Sequence, residues 1–189
     1  MFRLVLILVA TLTVAGCSGV EVRDPQTTID AKRYVSTEAP ELQLITAVRL
    51  KSGAGGHSAL LVNAHERVIY DPAGNYNNGE NRGIVPEYDD MLFGITPPVL
   101  DSYYEFHTRE DWYVVIQRIP VSAEVAEIAY RRVVEQGASA SGFCASNTSA
   151  VLRGVPGFES LPSTMSPKKL MEEFAKLPGV VTETRYEGS

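Results

Sequence analysis

The sequence predicts an α+β domain in which a small antiparallel sheet packs against helices. Three observations lead to this prediction. Two adjacent runs of alternating apolar and polar residues are typical of a β-hairpin, capped amphipathic segments in the second half are typical of helices, and strands and helices do not alternate regularly as in a parallel sheet. The length of 189 residues suffices for one domain with a core and hardly for two.

The first strands are predicted from alternation and from the residues that interrupt it. Residues 41–51 alternate well enough to form a strand, and the glycine-rich residues 52–56 break it. A second run at 58–62 turns at 63–66 and returns at 67–71, which predicts a hairpin. From Pro72 to about Pro86 the chain is rich in Gly and Asn, a composition that predicts a long loop.

Helix signals dominate the remainder of the chain. Thr96, Ser122 and Ser166 are the predicted N-cap or helix-start residues, and Gly137 and Gly154 lie at predicted helix ends. The predicted helices span residues 97–104, 123–136 and 144–153 and a last segment from Pro167 to Leu177. The predicted strands are 112–119 and an edge strand at 180–186.

The N-terminal segment has the layout of a bacterial lipoprotein signal. Residues 1–16 contain a positive residue, Arg3, then an apolar stretch that is too short for an ordinary transmembrane span. Val14-Ala15-Gly16-Cys17 resembles a lipobox, which implies cleavage before Cys17 and lipidation of its thiol. Ser18 in the following position implies, in a Gram-negative host, an outer-membrane anchor facing the periplasm.

The same segment divides the chain into three parts. Residues 1–16 are the expected signal peptide, and 17–39 are the expected lipidated N-terminus and flexible tether, because this stretch is polar and shows no periodicity. Residues 40–189 are the expected domain. The expected membrane contact is therefore through lipid on Cys17.

Composition argues against several functions. The formal net charge is −6, and no basic cluster is longer than Arg131-Arg132 or Lys168-Lys169, so no nucleic-acid partner is expected. The histidines lack a paired spacing and the cysteines are too few for a typical metal site, so no metal is expected. The glycines at 53–56 lack the ending of a phosphate loop, and no cofactor is expected.

Cys144 is the one thiol left once Cys17 carries lipid. It lies where a glycine-containing loop enters a predicted helix, and N–H groups at a helix start favour the thiolate. A nucleophilic cysteine needs a base, and His57, directly after two glycines at the head of a strand, is the best of three histidines. His65 is expected to be a solvated turn residue, and His107 a cation near a helix end.

A third group would orient the imidazole of His57. A three-residue turn is expected to place Asp71 opposite His57, whereas a two-residue turn would place Tyr70 there. Asp71 is chemically better suited, because a carboxylate stabilises the imidazolium and fixes its tautomer. The sequence leaves this choice open.

Two segments together resemble the circularly permuted papain-like hydrolases, relatives of the peptidoglycan-cleaving cysteine peptidases and of the lecithin:retinol acyltransferase group. Residues 56–71 resemble the histidine-bearing hairpin of that family, and residues 143–152 resemble the helix that begins with its nucleophile. The resemblance covers roughly residues 42–181. It implies a permuted papain-like fold with Cys144 as nucleophile, His57 as base and Asp71 as orienting group.

The resemblance also implies acyl transfer through a thioester. The expected substrate is an amide in cell-wall peptides, with peptidoglycan as the polymer beside the anchor. The loop after Asp71 is expected to bind substrate through Asn75, Tyr76 and Tyr88. Two alternatives remain open: a lipid-ester hydrolase or acyltransferase, and a catalytically idle binding lipoprotein of the same fold.

Overall fold

The computed structural model describes residues 22–77, 85–109 and 111–188. They form an α+β fold with a seven-stranded antiparallel sheet in the order β4-β5-β3-β2-β1-β6-β7 and with five helices. The strands are β1 (Glu41–Arg49), β2 (Gly55–Asn63), β3 (Arg67–Tyr70), β4 (Glu87–Tyr88), β5 (Met91–Leu92), β6 (Trp112–Pro120) and β7 (Val181–Arg185). The helices are α1 (Gln26–Lys32), α2 (Pro97–His107), α3 (Ala123–Gln136), α4 (Cys144–Arg153) and α5 (Pro167–Phe174).

The sheet has a hydrophobic cluster on each face. On β2, Leu60 and Val62 belong to one cluster with residues of α1, α3, α4 and α5. Ala59 and Leu61 belong to the other, together with residues of α2. Because successive side chains of a strand point to opposite faces, the sheet lies between α2 on one side and the other helices on the other.

The predicted hairpin and the predicted helices of the second half are confirmed. The Ser122 side chain accepts a hydrogen bond from the Val125 N–H at the start of α3, and Ser166 does the same for Lys169 in α5. Thr96 precedes α2 but makes no side-chain capping bond. Helix α4 has the predicted bounds, and β7 is the predicted edge strand.

The expectation of a flexible tether up to Ala39 is wrong for the described part of that segment. Residues 26–32 form α1, whose Ile29 is only 2 % exposed and packs in the larger core cluster. Farther along, the Arg67 N–H donates to the Tyr34 carbonyl at 2.9 Å. This seven-residue helix buries only one side chain, so its sequence has no repeated apolar spacing. The helix therefore could not be predicted from the sequence pattern.

The short strands β4 and β5 are also additions to the predicted set. They lie in the segment after the long loop and extend the sheet beyond β3. The expected signal peptide, Cys17 and Ser18 lie outside the described residues. Among the helices in the described ranges, none combines the length and apolar character needed to cross a membrane.

Candidate active site

His57 and Asp71 are in direct contact at the open end of the β2–β3 hairpin. The His57 Nε2 lies 2.7 Å from the Asp71 Oδ1, and the two side chains are 17 % and 4 % exposed. The predicted direct pairing is wrong in register, since Leu60 pairs with Tyr70 and continuation of that register places Ala59 opposite Asp71. The imidazole therefore reaches the carboxylate diagonally across one face of the hairpin.

The alternative orienting residue, Tyr70, points elsewhere. It is fully buried in the cluster on the α3, α4 and α5 side, and its hydroxyl donates to the Gly137 carbonyl at 3.0 Å. Asp71 is thus the residue that the structure brings to His57. The choice follows from the register of the hairpin, which the turn alone left undetermined.

Helix α2 supplies two further groups around Asp71. The Tyr103 hydroxyl donates to Asp71 Oδ1 at 2.6 Å, so that one oxygen accepts from both Tyr103 and His57. One helical turn later, the His107 ring stacks on the His57 ring with centroids 5.5 Å apart and planes 8° apart. The His107 Nδ1 lies 2.9 Å from the Tyr103 carbonyl oxygen, which fixes the ring against its own helix.

Cys144 is the first residue of α4, as predicted, and it is 8 % exposed. His57 and the backbone N–H groups of Ser58 and Ala145 lie close enough to its thiol to lower the thiol pKa. Because Nε2 of His57 faces Asp71, the other ring nitrogen, Nδ1, is left for the sulfur. Cys144, His57 and Asp71 therefore form one connected series of side chains.

The electrostatics of the series favour an ion pair. Burial by itself raises the pKa of Cys144, but the hydrogen bond and charge of His57 and the two N–H groups outweigh it and lower this pKa below its usual value. Burial lowers the pKa of His57, but Asp71 and then Cys144 raise it to about 10. Both shifts favour the charged forms, a thiolate beside an imidazolium.

The pKa values of Asp71 and His107 are both lowered, but for different reasons. Burial raises the pKa of Asp71, but the charge and hydrogen bond of His57, with His107 and Tyr103, bring it below its usual value. Burial, the strongest influence on His107, lowers its pKa to about 4. His107 is accordingly neutral at pH 7, and the expectation of a cation near the helix end is wrong.

A cavity of about 330 Å³ lies beside His57. Its wall includes Asn75, one of the residues predicted to bind substrate. The other lining residues are Ala47, Gly56, His57, Ala73, Gly74, Phe106, His107, Arg109 and Trp112. Gly56 is required by the close approach of Trp112, because a Cβ at position 56 would lie 2.3 Å from the Trp112 ring.

Two of the three predicted substrate-binding residues lie away from this cavity. Tyr76 is fully buried, and its ring packs edge-on against Tyr103 with centroids 5.1 Å apart. Its hydroxyl donates to the Ser102 side chain at 3.1 Å. Tyr88 is 41 % exposed in β4 and lies beneath the Arg23 guanidinium, 5.5 Å from the ring centroid. Their expected contact with substrate is therefore not supported.

One group of residues in the described ranges could hold a metal ion. His57, Asp71 and His107 each offer a ligand atom within 4.8 Å of the others. Ligands of a tetrahedral zinc at 2.0–2.1 Å lie about 3.3 Å apart. The 2.7 Å between His57 and Asp71 is shorter and is a hydrogen-bond distance, so the arrangement present is a proton-handling one. The spacing of histidines in the sequence did not predict this group, because its members come from β2, from the residue after β3 and from α2.

Tyr103 and His107 were missed as site residues by sequence reasoning. They are four positions apart in α2 and so share one face, but the predicted helix ended at residue 104 and did not include His107. Nothing local indicates that this face would pack on Asp71. His65, by contrast, is 45 % exposed and pairs with Glu127 at 3.0 Å, as a solvated turn residue does.

Comparisons with protein-family models, with curated proteins and with solved structures find no match for this chain.

Proposed function

We propose that this protein is a cysteine hydrolase that cleaves an amide bond in cell-wall peptides. The observation that carries the proposal is the connected series of Cys144 at a helix start, His57 and Asp71. A nucleophile, a base within hydrogen-bond reach and a third group that orients the base are the parts that thiol-based acyl transfer needs. The resemblance to permuted papain-like hydrolases supports the same assignment.

In the proposed reaction, the Cys144 thiolate attacks the carbonyl carbon of the amide. The C–N bond then breaks as the His57 imidazolium gives its proton to the leaving nitrogen, and the acyl group remains as a thioester on sulfur. His57, now neutral, takes a proton from water as that water attacks the thioester. The products are the free acid, the Cys144 thiolate and the imidazolium, ready for another cycle.

Backbone groups around the sulfur support this chemistry. The N–H groups of Ser58 and Ala145 lower the pKa of the thiol, and the start of α4 carries the positive end of the helix dipole. Groups of this kind stabilise a thiolate and the negative oxygen that develops when a carbonyl is attacked. Asp71 balances the positive charge of His57 throughout.

The cavity beside His57 favours a polar substrate over a purely lipidic one. Its lining includes the polar residue Asn75 and the basic residue Arg109 together with the aromatic residues Phe106 and Trp112. A peptide matches such a mixed lining, because it offers carbonyl, amide and carboxylate groups along with apolar side chains. A lipid anchor at Cys17, which the N-terminal pattern predicts, would hold the enzyme in the cell envelope.

Thiol alkylation tests the reactive pair. We expect iodoacetamide to modify Cys144 of the full chain near pH 7 faster than a free thiol peptide, whose pKa is about 8.5. His57→Ala should slow that modification, because burial then raises the pKa of the thiol without the opposing charge. His65→Ala is the matched control and should change nothing. Peptide mass spectrometry assigns the modified residue, and equal rates for Cys144 and the free peptide would contradict the proposal.

Product analysis tests the substrate. The full-length chain in mild detergent is incubated with purified cell-wall fragments and, separately, with phospholipid vesicles, beside its Cys144→Ala variant. We expect new peptide fragments that depend on Cys144. Release of fatty acid instead identifies a lipid-ester hydrolase, and the absence of any Cys144-dependent product identifies a binding protein.

A further inference from the structure

The cavity beside His57 lies on one particular side of the reacting groups. It is lined by His57 and by its stacking partner His107, whereas Cys144 is not among its lining residues. A group bound there therefore lies beside the same imidazole that interacts with the sulfur. The cavity and the thiol are therefore two different parts of the substrate-binding region that share His57.

The chemistry assigns the two halves of a substrate to these two parts. The acyl half forms a bond to sulfur and must lie over Cys144. The leaving nitrogen receives its proton from His57, so the leaving half lies on the imidazole side. This assignment rests on the proposed function, and it places the leaving group in the cavity of about 330 Å³.

Arg109 gives this cavity a positive charge. Its guanidinium carbon lies 3.8 Å from the centroid of the Phe106 ring, which in turn packs edge-on against His107 at 5.0 Å. Stacking on Phe106 orients the guanidinium beside the cavity and leaves its N–H groups available. Among residues 22–77, 85–109 and 111–188, no carboxylate lies within ion-pair distance of Arg109.

None of the residues that line this cavity is acidic. Asp71 is occupied by hydrogen bonds from His57 and Tyr103. His107 is neutral at pH 7, because burial lowers its pKa to about 4. The lining thus combines a guanidinium, an imidazolium and the polar Asn75 with aromatic walls.

We infer that the leaving group of the substrate carries a carboxylate and that Arg109 binds it. A guanidinium matches a carboxylate with two parallel N–H···O bonds, which a neutral carboxamide cannot reproduce. Arg109 is then a specificity-determining residue on the leaving-group side. The substrate class is an acyl amino acid or acyl peptide with a free carboxylate downstream of the scissile amide.

Binding of paired peptides tests this inference without requiring turnover. The full-length Cys144→Ala chain is titrated calorimetrically with acetyl-alanyl-alanine and with its carboxamide, each with L- and with D-alanine at the end. We expect the free acid of at least one form to bind about ten-fold or more tightly than its carboxamide. Arg109→Gln should abolish the difference, and Arg109→Lys should restore only part of it.

Arg49 offers a matched control. Its guanidinium also stacks on an aromatic wall of the cavity, 4.9 Å from the Trp112 ring, but Arg49 does not line the cavity. Arg49→Gln removes the same charge nearby and should keep the ten-fold preference. If both variants lose the preference for the free acid, the cause is the general positive charge near the cavity. That result would overturn the assignment to Arg109.

The remaining outcomes are distinct from those of the proposed function. Equal affinities for acid and carboxamide, no measurable binding of either at millimolar concentration, or a preference that survives Arg109→Gln each overturns the inference. Hydrolysis of the same peptides by the wild-type chain is measured separately. A carboxylate preference without Cys144-dependent hydrolysis keeps the binding site and rejects the hydrolase.

Discussion

At the scale of single residues, one carboxylate oxygen organises the site. Asp71 Oδ1 accepts hydrogen bonds from His57 at 2.7 Å and from Tyr103 at 2.6 Å. Burial, with the Asp71 charge, raises the pKa of Tyr103 well above its usual value, so its hydroxyl stays a donor. The tyrosine thereby holds the carboxylate in position to support the imidazolium.

Removal of this donor is expected to affect both stability and thiol reactivity. Tyr103→Phe should lower the free energy of unfolding by about 1.5–3 kcal/mol, the usual value for a hydrogen bond to a charged group. It should also raise the pKa of Asp71, weaken its hold on His57 and slow the alkylation of Cys144 at neutral pH. Urea denaturation and iodoacetamide rates measure the two effects.

Tyr104 provides the control for that prediction. It follows Tyr103 in the same helix, is equally buried, and donates to the neutral Gln43 Oε1 at 2.6 Å. Tyr104→Phe should reduce stability while leaving the alkylation rate of Cys144 unchanged. If both variants slow the alkylation of Cys144 equally, the cause is a general destabilisation of the packing of α2. The specific role of Tyr103 is then rejected.

At the scale of elements, the starts of α2 and α3 allow a direct comparison of capping. Ser122 accepts from the Val125 N–H, whereas Thr96 makes no side-chain capping bond. Ser122→Ala should therefore cost about 1 kcal/mol of stability. Thr96→Ala should cost clearly less, and chemical denaturation of the two variants checks the difference. Equal costs would mean that the capping bond at Ser122 contributes nothing.

Helix α1 ties the N-terminal segment to the sheet through one buried side chain. Ile29→Ala should destabilise the protein by about 2–5 kcal/mol, because it leaves a cavity in the core cluster. The neighbouring exposed Thr28 is the control, and Thr28→Ala should be nearly neutral. If Ile29→Ala leaves the free energy of unfolding unchanged, this side chain does not hold α1 to the core. The segment would then behave as the flexible tether that its composition predicts.

At the scale of the whole molecule, the paired shifts of His57 and Cys144 determine how stability depends on pH. Folded His57 keeps its proton up to a pKa of about 10, whereas an unfolded histidine releases it near 6.5. The folded state thus holds an extra proton between these values, and its stability decreases as pH rises through that window. Folded Cys144 ionises at lower pH than unfolded cysteine, and this opposes the decrease.

Cys144→Ala should consequently lose stability more steeply than the wild type as pH rises above about 6.5, up to a folded His57 pKa that lies below the wild-type value of about 10 because the thiol no longer raises it. The variant keeps the Asp71 charge that holds the His57 proton but lacks the opposing thiol. Urea midpoints across that range measure the slope. In the double variant His57→Gln, Cys144→Ala the slope should disappear, and a slope that persists there would assign the effect to other groups.

The sequence predicted most elements and named all three linked residues, with Tyr70 left open as the alternative to Asp71. Cys144 and His57 were recognised because each stands at a local boundary, a helix start and a strand head that follow glycines. Tyr76 was expected to bind substrate because its neighbours are polar, but its ring is fully buried and does not support that expectation. A single aromatic residue in a polar loop carries no periodicity that indicates which way it faces.

The boundaries of the main strands and of α3 and α4 were determined by the sequence itself, because alternation, caps and glycines act over a few neighbouring residues. Tertiary structure decided the hairpin register that brings Asp71 rather than Tyr70 to His57, and the packing of α2 that adds Tyr103 and His107. These contacts join residues far apart in the chain. They depend on which apolar faces are buried together, and no local pattern encodes that.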